Sequence, residues 1–150
     1  MKIKQTDKKC DKYIQKYGCY FCSIANAVGK EFTAEELNAA WAKCLSLKYI
    51  NGDMNGDGDL DDANEAIIVN PNGVCKVLGA KLIYVDRQFP AVLDIPKGHY
   101  AIGCFYNPST KFRHFVVINE NKQVIYDPIL NSNTVKNGYL ESMRIYRWYS

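Results

Sequence analysis

From Cys19 onward, the apolar residues Ile24, Ala25, Ala27 and Val28 share one face of a helix that Gly29 can end. A second helix is marked at both its start and its face. Thr33 followed three residues later by Glu36 forms a capping box, and Leu37, Ala40, Trp41, Cys44 and Leu45 repeat at i, i+3, i+4, i+7 and i+8. Cys44 on that face is expected in the core. Past an acidic stretch, the apolar runs 66–69 and 74–78 flank Pro71-Asn72-Gly73 and read as a short helix on either side of a turn.

The second half changes period. Segments 80–85, 99–106, 112–118, 123–127 and 142–149 are rich in β-branched and aromatic residues between turn signals, which predicts an antiparallel sheet. Glu120-Asn121-Lys122 is a tight connection, so His114 and Asp127 are expected on paired strands. Helices first and strands afterwards, without βαβ alternation or repeats, predict one α+β domain over residues 1–150, its core between the Cys19 helix and the sheet.

Composition adds limits. At 150 residues and 47% hydrophobic, the chain can bury one real core. A net charge of +3 is too weak to argue for nucleic acid, although an anionic surface such as a cell wall stays open. Lys2, Lys4, Lys8, Lys9, Lys12 and Lys16 concentrate that charge in a solvated N-terminal segment. No apolar stretch reaches the roughly 20 residues of a membrane span, and the N-terminus lacks the apolar centre of a signal peptide. The expectation is a monomer made in the cytoplasm. Its six cysteines are expected to be mostly reduced, with one candidate reactive thiol among them.

The candidate chemistry is a thiol, an imidazole and a carboxylate. Cys19 at a helix start meets partial positive charge and free N–H groups, which favour a thiolate and later an oxyanion. An imidazole oriented by a third group makes a thiol a strong nucleophile, and His114 and Asp127 can supply those two parts. Individually a Cys at a helix start and a His on a strand are common core residues. The chain has only two histidines, and one of them directly precedes an apolar strand and an Asp-Pro, which favours catalysis. His99 reads as a strand-start residue. Cys19-x-x-Cys22 also suggests a redox dithiol or half a zinc site. The first would be expected beside a βαβ unit, and the second needs a ligand pair that Cys10, Cys44, Cys75 and Cys104 do not form by spacing. Cys22 is then packing behind the nucleophile.

The order Cys19-Tyr20-Phe21-Cys22-Ser23-Ile24-Ala25, then His114-Phe115-Val116-Val117-Ile118, then Asp127-Pro128 resembles papain-like cysteine peptidases. The nearest likeness is to the leader-peptide peptidases of bacteriocin exporters and to bacterial and phage cell-wall hydrolases. The Cys, Ser and Ile-Ala match that family's opening segment, while its Gly-Pro is missing. The resemblance implies a papain-like fold and an amide-bond hydrolase, such as an endolysin-type peptidoglycan endopeptidase or amidase acting at the cell wall on a peptide or peptidoglycan substrate. It implies Cys19 as nucleophile, His114 as general base and acid, and Asp127 as the group orienting the imidazole. Such sites add a Gln as oxyanion donor. Gln15 lies four residues before Cys19, and Gln5 opens a Gln-x-Asp, so both are candidates, with Gln5 favoured.

The acidic stretch fits the start of an EF-hand or dockerin-type calcium loop, with oxygen ligands at its positions 1, 3 and 5, glycine at 6 and an apolar residue at 8. Asp53, Asn55 and Asp57 would bind by side chain, Asp59 by its carbonyl and Asp61 directly or through water. Position 12 is Asn64 and Glu65 follows, so either could close the site. Six carboxylates, Asp53, Asp57, Asp59, Asp61, Asp62 and Glu65, with no Lys or Arg among them, repel one another without a cation. The role expected for calcium is structural, fixing the link between the two halves. Two further readings stay open: a catalytically dead papain-like binding module, and an interaction domain centred on the loop.

Overall fold

The computed structural model describes residues 4–61 and 64–149. Lys2 and Asp62, counted above among the charges, lie outside them. Helix α1 (Lys12–Tyr17) starts at Asp11, whose carboxylate accepts from Tyr13 N at 2.8 Å. Nothing in the apolar pattern announces it, because it is a turn and a half long and only Ile14 is buried. It runs almost directly into α2 (Cys19–Asn26) through Gly18. A Cβ at Gly18 would lie 2.5 Å from the carbonyl oxygen of Ile14, so glycine alone permits this close joint. Helix α3 (Ala34–Ser46) has both halves of its capping box, with Glu36 N bonded to Thr33 Oγ1 at 3.1 Å and Thr33 N to Glu36 Oε1 at 3.0 Å. It buries Leu37, Trp41 and Cys44 on one face, as their spacing predicts, and Trp41 meets Phe21 of α2 edge-on at 5.2 Å.

The Pro71-Asn72-Gly73 break is instead the first turn of α4 (Pro71–Leu78). Proline is tolerated there because an N–H at the helix start has no intrahelical acceptor to lose. Asn70 caps this turn through Gly73 N at 2.9 Å, and Gly79, at φ 83°, ends the helix in the left-handed conformation glycine favours. Residues 66–69 are not helical. Ile68 bridges antiparallel to Ile50, and Ala66 N bonds Asn51 O at 2.8 Å, which closes the acidic loop at its base.

All five expected strands form, β3 at its expected bounds and the others with shifted ends: β1 (Leu82–Gln88), β2 (His99–Asn107), β3 (Phe112–Ile118), β4 (Val124–Tyr126) and, after the short helix α5 (Asn133–Asn137), β5 (Tyr139–Trp148). They make one antiparallel sheet in the order β1-β5-β2-β3-β4. The fold is α+β. Alternation splits the sheet residues between two apolar layers. Ile102, Val117 and Tyr146 join Phe21, Ile24, Leu37 and Trp41 on the helical side. Ala101, Val116, Ile118, Met143 and Ile145 form a second layer covered by Ile95, Ala91 and Val135 of α5. That second cover comes from the β1–β2 connection and α5, whose sequences carry no amphipathic period. Among the described residues no helix is long and apolar enough to cross a membrane.

Candidate active site

Cys19 is the first residue of α2 and is half-buried. One turn on, Ser23 Oγ lies 2.8 Å from Cys19 O and 3.4 Å from Phe115 O, so its single hydroxyl proton serves the helix start and the strand β3 beside it. Strand β4 pairs only with Val117 and Ile118, which leaves the first part of β3, with His114, on an edge that α2 can reach. Asp127 is not on a paired strand as expected. It lies one residue past β4, whose Tyr126 is registered against Val117, and the chain turns there to bring the carboxylate back to His114.

The contact itself is close: His114 Nε2 is 2.7 Å from Asp127 Oδ1, with both side chains buried. Asp127 is held in turn by backbone donors, Ile129 N to Oδ1 at 3.0 Å and Ser132 N to Oδ2 at 3.2 Å. Burial disfavours charge on His114, but the hydrogen bonds to Asp127 and to Cys19 outweigh it and lift the imidazole to about 9. Burial also resists charge on Asp127, yet His114 and the two backbone N–H groups hold its carboxyl below the usual range. With Nε2 facing Asp127, Nδ1 is the nitrogen left for the thiol. The Cys19 thiol and the Asp127 carboxylate both act on the His114 imidazole and raise it.

The other thiols have different surroundings. All six cysteines are free, but burial pushes Cys22 far up, Cys44 to about 11, Cys75 to about 12, and Cys10 and Cys104 up as well. Such thiols are inert packing groups. Of the two glutamines, Gln15 spends its Nε2 on Cys10 O at 2.7 Å. Gln5 is buried, its backbone N bonds Pro128 O at 3.0 Å beside Asp127, and its Nε2 reaches Gln15 O, one helical turn before Cys19, at 3.2 Å. Its Oε1 has no partner among the described residues.

Cys19 opens on a cleft of about 680 Å³, also lined by Tyr20, Phe115 and Arg144 and, from the acidic loop, by Asp61 and Glu65. The loop is thus part of the cleft wall, a placement its sequence does not announce. Carboxylate oxygens of Asp53, Asp57 and Glu65 lie within 4.8 Å of one another. The loop is wound by its own carboxylates and amides: Gly56 N and Gly58 N donate to Asp53, Asp57 N to Asn55 Oδ1 and Asp59 N to Asp57 Oδ1. Gly58 N above all keeps the Asp53 carboxyl acidic. The carboxylate of Asp59 is outside that group and accepts from Tyr13 Oη at 2.8 Å. Asp61 is outside the three-carboxylate group, and its N donates to Glu65 Oε1 at 3.0 Å. Of the two residues expected to close the loop, Glu65 is buried and stands in the three-carboxylate group, whereas Asn64 is exposed and its carbonyl accepts from Asn51.

Fold and site together define an α+β domain with a half-buried cysteine in a cleft, backed by a buried His–Asp pair and walled on one side by an acidic loop. The chain belongs to the DUF261 family of proteins of unknown function, whose model matches residues 1–148. No curated protein and no solved structure matches it.

Proposed function

We propose that this protein is a papain-like cysteine hydrolase of amide bonds, and that its substrate is a peptide of the endolysin type, the cross-linking or stem peptide of a cell wall. The observation that carries the reading is the buried 2.7 Å bond between His114 and Asp127, with the second imidazole nitrogen left to Cys19. An imidazolium beside a thiol stabilises the thiolate, which is the reactive form. Cys19 Sγ attacks the carbonyl carbon, and the oxyanion is met by N–H groups at the start of α2 and by the Gln5 amide. His114 gives its proton to the leaving amine and the C–N bond breaks. His114 then takes a proton from water, whose oxygen attacks the thioester and frees the acid and the thiol. Asp127 keeps the ring oriented throughout. Each glutamine amide spends one N–H within the protein, Gln5 on Gln15 O and Gln15 on Cys10 O, and Gln5 is preferred because its backbone is bonded to Pro128 beside Asp127.

The loop suits calcium, since carboxylate oxygens of Asp53, Asp57 and Glu65 lie within 4.8 Å of one another and the loop spacing adds Asn55 and the Asp59 carbonyl as further oxygen donors. The ion would supply charge that lets these carboxylates sit together at the cleft wall.

The test is release of new amines from purified peptidoglycan and from model peptides by wild type, Cys19→Ala and His114→Ala, with calcium or with chelator. Wild-type cleavage lost in both variants supports the reading. Equal rates in all three proteins overturn it.

A further inference from the structure

The sheet wall of the cleft carries a cluster of arginines, Arg87, Arg113 and Arg144, on the helix-facing side of the sheet. Arg87 and Arg144 are direct cross-strand partners in the β1–β5 ladder, and both line the cleft that Cys19 opens on. Like charges directly opposite on neighbouring strands destabilise a sheet. Among the described residues neither guanidinium has an ion-pair partner. The third, Arg113, is already engaged by Glu141 through Nε at 2.8 Å and a second nitrogen at 3.2 Å. Glu141 is held below the usual range chiefly by its hydrogen bond from Arg113, with Arg87 and Arg144 adding to it. Its bidentate pairing is with Arg113, so Arg87 and Arg144 are the two guanidiniums that line the cleft without an ion-pair partner among the described residues.

Arg144 is also fixed in place. Its guanidinium lies 4.8 Å over the Phe115 ring and 5.8 Å over the Tyr20 ring, its Nη1 donates to Ser142 Oγ at 2.7 Å, and the two rings stack at 4.8 Å. Tyr20 follows Cys19 and Phe115 follows His114 in the chain. The guanidinium therefore rests on the two residues that adjoin the nucleophile and its base. With Nη1 bonded to Ser142, the guanidinium still has further N–H donors to offer an oxyanion, and a guanidinium fork matches a carboxylate in two parallel hydrogen bonds.

We infer that Arg144, with Arg87 beside it, is the specificity-determining anion subsite of this cleft and selects peptide substrates carrying a carboxylate next to the bond that Cys19 attacks. The inference rests on the hydrolase reading for the word substrate, but not for the binding it describes. The arginine cluster takes the carboxylate, and the peptide backbone crosses Cys19.

Binding to Cys19→Ala protein separates the two readings, because it needs no turnover. The probes are acetyl-Ala-Glu-Ala-amide and its glutamine analogue, measured by calorimetry, with inorganic phosphate and acetate as competitors. The expected result is at least tenfold tighter binding of the glutamate peptide, a preference that shrinks with added salt and falls to within twofold in Cys19→Ala/Arg144→Gln protein of unchanged circular dichroism. Cys19→Ala/Arg144→Lys keeps the charge and should restore only part of the preference, since Lys lacks the fork. Equal binding of the two peptides, or a preference that survives Arg144→Gln with Arg87→Gln, overturns the subsite. Phosphate competing at far lower concentration than acetate overturns the carboxylate assignment. A glutamate preference without any hydrolysis would sink the enzyme reading and leave this one standing, and hydrolysis without the preference would do the reverse.

Discussion

The His114–Asp127 turn and the acidic loop both build the neighbourhood of Cys19, and they are held by opposite means. Asp127 is buried and receives three donors, from His114, Ile129 and Ser132, so its charge is matched within the protein. In the loop, Asp53 and Asp57 are exposed, and they stand with Glu65 within 4.8 Å of one another. The donors to Asp53 and Asp57 are backbone amides, which bear only partial charge. One region is complete as it stands, and the other is wound into shape yet still carries unbalanced repulsion. The turn should therefore fail only when a residue is changed, whereas the loop should respond to the medium.

The largest break in that contrast comes from the reacting atoms. Cys19→Ala and His114→Ala should each lower kcat/KM by about a thousandfold or more, because parts that act as a unit are lost together. Cys19→Ala should melt near wild type, whereas His114→Ala should melt several degrees lower because it leaves the Asp127 carboxylate buried without its ionic partner. A collapse in the melting temperature of Cys19→Ala would mean that the thiol serves folding. Next is Gln5→Ala, which removes the amide proposed for the oxyanion and should lower kcat by about a hundredfold with KM little changed. Gln15→Ala, on the same assay, should cost less than tenfold. The reverse order would transfer the role to Gln15.

The loop is tested by removing its ion. At a calcium concentration about a hundred times its Kd, binding would contribute about 2.7 kcal/mol, so chelation should lower the melting temperature by about 5–10 °C. Asp53→Asn should show the smaller calcium response, and activity should fall about tenfold as the cleft wall loosens. A titration with no heat and no shift in melting removes the metal from the account.

How much of this could be read from residues alone depends on how local the cause is. The α3 helix was legible because Thr33, Glu36 and the Leu37-Trp41-Cys44 face are short-range rules that packing did not override. Strand β3 matches its expected span, 112–118, since alternation and turn signals bound it on both sides. Helices α1 and α5 were missed because each is too short to show a period. The helical reading of 66–69 failed for a long-range reason, the pairing of Ile68 with Ile50 across the loop. In the site, Cys19, His114 and Asp127 were recognisable by type and order. The support of Asp127 by Ile129 and Ser132, the Ser23 bond to β3 and the stacking of Arg144 belong to the folded turn and sheet, and no spacing encodes them.

The finest test of the contrast is how acidity moves the matched pair. His114 is lifted from an ordinary value of 6.5 to about 9, so the ring stays protonated through neutrality and loses its proton as the pH rises through about 9. Its contribution to stability is complete below about 6.5 and is lost across that same window. Asp127 works in the opposite sense: its contribution is present above about 3.9 and disappears as the pH falls through its lowered value. Loss of the imidazolium also removes the proton for the leaving amine, so kcat/KM should have an alkaline limb near 9. Because Asp127 is a chief support of that charge, Asp127→Asn should shift the limb down by about one unit or more, beyond any general loss of rate. Chelating calcium should leave the limb where it is, since the loop carboxylates are not among the groups that hold His114 charged. A limb that moves with calcium and ignores Asp127→Asn would invert the comparison, making the loop the electrostatic partner of the imidazole and the Asp127 turn a structural fixture.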